Sequence, residues 1–110
     1  MRRILFALAL LSLSVVDAVG QSAQCLVAES GTIAKAISAI QRGEINGQFV
    51  EGAAATKMAR EFGFKDAAAV FLINGDDGNK LAIVAIRHDG RDLACFVNAA
   101  KAVKLFGQKA

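Results

Sequence analysis

Apolar residues recur along this chain at two different spacings, and the change from one to the other divides it. Between Ser30 and Gly43, the residues Ile33, Ile37 and Ile40 stand three and four apart, the spacing that lines one face of a helix. Ser30 or Thr32 is placed to cap its start by accepting a backbone N–H, and Gly43 to take the left-handed turn that ends it. Residues 43–50, GEINGQFV, are punctuated by glycine and read as a connector. The alanine-rich stretch from Glu51 to Phe62, with Met58 and Phe62 four apart and Gly63 as a stop, predicts a second helix.

Beyond Gly63 the period shortens. Val70 to Ile73, Leu81 to Ile86 and Leu93 to Val97 are short apolar runs. They are separated by Asn74-Gly75-Asp76-Asp77-Gly78-Asn79 and by His88-Asp89-Gly90-Arg91, both of turn composition, which predicts a three-stranded antiparallel meander. Asn98 then caps a last helix through Phe106, with Ala99, Val103 and Phe106 on one side, Lys101 and Lys104 on the other, and Gly107 at its end. The expected fold is therefore α+β: two helices, then a three-stranded antiparallel meander, then a C-terminal helix. In the middle run Leu81, Ile83 and Ala85 alternate with Ala82, Val84 and Ile86, so both faces of the sheet are apolar. A sheet open to water on one side alternates apolar with polar. Either helices cover both faces here, or one face is buried against a protein partner or a second copy.

The amino end has a separate logic. Arg2 and Arg3 precede an uncharged run from Ile4 to Val16, and Ala18-Val19-Gly20 supplies small residues before Gln21. A positive start, a short apolar stretch and small residues at the cut define a secretory signal peptide, predicted here over residues 1–20. A membrane-spanning helix needs about 20 apolar residues, more than this run provides before Asp17. Lipid attachment at Cys25 is disfavoured by the bulky Gln24 before it. Residues 21–110 then form one small domain, exported to a periplasm or secreted, with no membrane span after cleavage. Removing Arg2, Arg3 and Asp17 changes the formal charge from +3 to +2. The remaining charges alternate in sign with no basic stripe, which argues against a nucleic-acid partner.

Export changes the reading of the two cysteines. In an oxidising compartment, paired thiols bridge, and a Cys25–Cys95 disulfide would tie the amino-terminal segment to the third strand. It would close a loop of about 70 residues, worth roughly 4 kcal/mol in the chain-entropy model. Redox catalysis favours closely spaced Cys-x-x-Cys pairs, which these are not. One histidine and two distant cysteines do not make a zinc site. The acidic turn at Asn74 lacks the glycine and glutamate spacing of a calcium loop, because Asn79 and Ala85 stand at those places. No metal or cofactor is expected.

His88, with Asp89 and Asp92 nearby, is the one place for a general acid or base near neutral pH. No serine stands in a nucleophile elbow and no glycine-rich phosphate loop precedes a helix. Arg87, His88 and Arg91 in the reversal, and Phe49 in the glycine-flanked connector, are the candidate binding residues. The other mature phenylalanines, Phe62, Phe64, Phe71, Phe96 and Phe106, fit core positions. Two functional classes follow. One is a small exported non-enzymatic module that binds a protein partner, or itself as a homodimer, through an apolar sheet face or the Phe49 connector. The other is a small periplasmic hydrolase or thiol-active enzyme centred on His88 or on the cysteines.

Overall fold

A computed structural model describes residues 24–108 of the 110-residue chain; the predicted signal peptide lies outside the described residues. In chain order the elements are β1 (Gln24–Ala28), α1 (Thr32–Gln41), β2 (Gly47–Glu51), α2 (Gly52–Arg60), β3 (Ala69–Asn74), β4 (Lys80–His88), β5 (Arg91–Val97) and α3 (Ala99–Gln108). The strands form one five-stranded sheet in the order β1-β5-β4-β3-β2, antiparallel at every junction.

This α+β architecture corrects the expected one. The sheet has five strands instead of three, and a strand precedes the first helix. Both missed strands are edges whose pairing is non-local. In β1, Leu26 and Val27 point to opposite faces and are 59% and 54% exposed, so no alternation marks the strand. β2 lies inside the predicted connector and is drawn into the sheet by β3, with Phe49 opposite Phe71 and Val50 opposite Val70. Its glycine misleads for a physical reason. Gly47 sits where a Cβ would come within 2.7 Å of the Leu72 carbonyl oxygen, so it serves close strand approach instead of a turn.

Two helices cover one face of the sheet. Ala55, Met58 and Ala59 of α2 and Ala102 and Phe106 of α3 pack on Val70, Leu72, Ala82, Val84, Ile86, Leu93 and Cys95, all buried. The alanines let the helix backbones approach the strands closely, and the long aromatic of Phe106 fills the remaining depth. Val103, expected on the packed side of the last helix, is exposed. The buried stripe of that helix runs through Ala99, Ala102, Leu105 and Phe106, and the helix continues through Gly107 to Gln108.

α1 lies on the opposite face, over Ala69, Phe71 and Ala85, with Ile33 buried and Ala36, Ile37 and Ile40 packed alongside. Connectivity explains its position. β1 and β2 are the two edges of the sheet, so the segment between them must cross all five strands. Four strand spacings are about 19 Å, and a helix of this length spans about 15 Å, so α1 is itself the crossover. A single helix laid across a face leaves the strand ends on either side of its path uncovered. Both sheet faces thus carry helices, and on both the β1 edge is left partly bare.

Local chemistry sets the helix ends. Arg42 closes α1 and Gly43 follows with φ 79°, as its sequence position predicts. Asn98 Oδ1 accepts the Lys101 N–H at 2.9 Å to cap α3. The start of α1 differs from expectation, because neither Ser30 nor Thr32 caps it. Gly31 occupies the N-cap with no side-chain bond, the Thr32 hydroxyl donates to the Glu29 carbonyl, and the missing acceptor arrives from β5, as Asp92.

Candidate functional site

The β4–β5 reversal turns on Asp89 and Gly90, at φ 53° and 76°. Positive φ at both central residues is the two-residue hairpin geometry that Asp-Gly favours. It sets His88 opposite Arg91 and Arg87 opposite Asp92, so at this end of the sheet His88 and Arg91 share one face, while Arg87 stands with Asp92 on the other. His88 Nε2 is 3.4 Å from Asp89 Oδ2, and both side chains are exposed. Arg87 Nε lies 3.7 Å from Asp92 Oδ1. Asp92 is only 3% exposed, and its Oδ2 accepts the Ile33 N–H at 2.9 Å. Its carboxylate is thereby engaged by helix α1 and is not turned toward the imidazole.

Phe49 stands elsewhere. On β2 it is half-buried beneath α1, its ring centroid 6.3 Å from that of Phe71 with the planes tilted by 41°. One strand, β3, separates its strand from the hairpin that carries His88.

Cys25 and Cys95 are register partners on β1 and β5, with Cα atoms 3.9 Å apart, and are joined as a disulfide. The bridge staples the edge strand to its neighbour on the face covered by α2 and α3, where Cys95 is fully buried. Such a bond is compatible with an oxidising compartment. Among the described residues, no three His, Cys, Asp or Glu side chains gather as metal ligands would, and no helix is long and apolar enough to cross a membrane.

Local sequence reasoning missed the surface on the other side of the same strand. Pairing places Leu26 beside Ala94, Ala94 beside Ala85, and Phe96 beside Ile83, all on the face that α1 crosses. α1 does not reach this corner. Leu26 and Leu81, at 59% and 45%, are exposed, and Ile83 and Phe96 are half-covered, giving an apolar strip that runs from β4 through β5 to the sheet edge.

At that edge β1 carries no charge and, among the described residues, pairs on one side only. The short Cα separation of Cys25 and Cys95 marks a narrow pair, one that exchanges no backbone hydrogen bonds. Gln24, Leu26 and Ala28 therefore bond to β5, while the N–H and C=O of Cys25 and Val27 point outward. The sequence clue was a five-residue uncharged window, QCLVA, with no polar alternation to identify it as a strand.

A concavity lies between α2 and α3, a groove of about 480 Å³ with Val50, Met58 and Leu105 beneath a rim of Lys57, Glu61 and Gln108. Its rim mixes charges of both signs. No family model, no curated protein and no solved structure matches this chain, so a functional reading rests on the geometry of the sheet.

Proposed function

We propose that this chain is a small exported binding protein whose ligand is another polypeptide, taken up as an added strand along the outer edge of β1. The observation that carries this reading is the edge itself. An open row of backbone donors and acceptors templates strand addition, and natural edges are usually blunted by charge, proline or a bulge. β2, at the opposite edge, ends in Glu51. β1 has none of these devices, and Leu26 and Val27 offer an apolar contact on each face of an incoming strand. The disulfide adds support, since a five-residue edge strand would otherwise peel readily, and a covalent tie to β5 holds it in place as a template. Export follows from the amino-terminal pattern, and the disulfide suits it.

The geometry around His88 gives the enzyme alternative no comparable footing, because a general base needs an oriented partner and a substrate-sized concavity beside it. His88 and Asp89 both stand in solvent, the groove between α2 and α3 does not include them, and both cysteines are bridged.

A photo-activatable cross-linker placed at Val27, and as a control at Lys104 on α3, tests the reading in the exporting cell. The expected result is a polypeptide adduct from position 27 that position 104 does not give. Equal or absent adducts at the two positions would remove the edge from the account.

A further inference from the structure

The edge of β1 is also compatible with itself. Resting on the reading that β1 takes up a polypeptide strand, we infer that the strand is β1 of a second copy, paired antiparallel about a two-fold axis at Leu26.

The pattern of outward groups makes the pairing self-consistent. Cys25 and Val27, one on each side of Leu26, direct their N–H and C=O groups away from β5. An antiparallel copy centred on Leu26 sets Cys25 against the second copy's Val27 and Val27 against its Cys25, each pair exchanging both of its bonds. Leu26 then meets Leu26 as a narrow pair, in which side chains approach most closely. Symmetric self-pairing of one patch is the usual route to a closed dimer.

Charge permits it. An edge that pairs with itself must not set like charges opposite each other, and QCLVA contains none. The first charge beyond β1 is Glu29, outside the paired window. With a formal charge near +2 after signal removal, repulsion between copies is small. The two-fold axis stands perpendicular to the sheet, so the strips of Leu26 and Phe96 from both copies lie on the same side and join across the axis.

Sedimentation equilibrium of the processed, oxidised protein from about 1 to 500 µM tests the inference. The expected result is reversible dimerisation. Val27→Pro removes an outward N–H while leaving every β1–β5 bond in place, a substitution edge strands tolerate, and is expected to weaken the dimer by at least ~10-fold. Leu26→Lys and Leu26→Glu provide a second, independent test at an exposed position. Each alone is expected to be monomeric, because like charges meet at the axis, and an equimolar mixture to recover the dimer. A wild-type protein that stays monomeric throughout, a V27P dimer as tight as the wild type, or a mixture of L26K and L26E that does not associate would each overturn self-pairing. The cross-linking experiment separates the two levels. An adduct at Val27 with a different polypeptide, beside a monomer in solution, overturns self-pairing and leaves the binding reading standing, whereas no adduct and no dimer overturns both.

Discussion

The carboxylate of Asp92 on β5 accepts the backbone N–H of Ile33, in the first turn of α1, at 2.9 Å and across 59 positions of sequence. The N-cap residue, Gly31, has no side chain to offer, so the helix borrows its cap from the sheet it crosses. A negative charge at a helix amino terminus is also favoured by the helix dipole, and the Arg87 guanidinium lies near the other oxygen. Through this one bond the crossover helix is anchored at the β5 end of the sheet, which leaves the corner around Leu26, Phe96 and Leu81 bare.

Asp92→Ala removes the cap and leaves a buried N–H without a partner. Capping residues contribute about 0.5–2 kcal/mol, and an unsatisfied buried donor costs about 1–3 kcal/mol, so urea unfolding should show a loss of roughly 1–3 kcal/mol. Asp92→Asn keeps an acceptor and should lose less than half as much. Equal losses in the two variants would mean that the bond to Ile33 is not what Asp92 contributes.

Reduction of the Cys25–Cys95 bond, or replacement of both cysteines by serine, should lower the unfolding free energy by about 2–4 kcal/mol. The change should begin at β1, which among the described residues has one neighbour and two exposed apolar side chains. Hydrogen exchange by mass spectrometry, with and without reductant, would then show residues 24–28 losing protection before β3 and β4. Uniform loss across all strands would argue against β1 as a separately anchored edge.

The β3–β4 turn gives a pH-dependent signature. Asp77 accepts the backbone N–H of Asn79 at 3.0 Å and its side-chain amide at 2.8 Å, and these bonds, the backbone one first, hold its carboxyl below the usual aspartate value. A carboxyl depressed in the folded state contributes stability that is present above its unfolded pKa and is lost as pH falls through the lower, folded one. Carboxyl NMR titration should give Asp77 a midpoint below the ordinary aspartate value. Asn79→Ala should restore only part of the difference, since the backbone N–H remains; full restoration would assign the shift to the side-chain amide.

How much of this was legible in the sequence depended on how local each cause is. The three helices and the strands β3, β4 and β5 announce themselves by periodicity and by Asp-Gly and Asn-Gly turns, because residues three, four or two apart report on one face of one element. β1 and β2 do not. Leu26 and Val27 are adjacent apolar residues on an edge with neither face buried, and Gly47 imitates a loop while serving contact with Leu72. The candidate site divides in the same way. The pairing of His88 with Arg91 follows from their own turn, whereas the engagement of Asp92 by α1 and the open corner beside Leu26 depend on where the crossover helix lies, a relationship among distant segments.

The most direct test of the account is the amide exchange of Val27, read residue by residue against that of Leu26. The Leu26 N–H bonds to β5 and should be protected at every concentration. The Val27 N–H points out of the sheet, so it should exchange freely in dilute protein and become protected as protein concentration rises or as a partner strand is supplied. Protection of Val27 that tracks occupancy is the predicted result. A Val27 amide that exchanges freely under every condition in which the protein associates would contradict the claim that the β1 edge is where this chain binds.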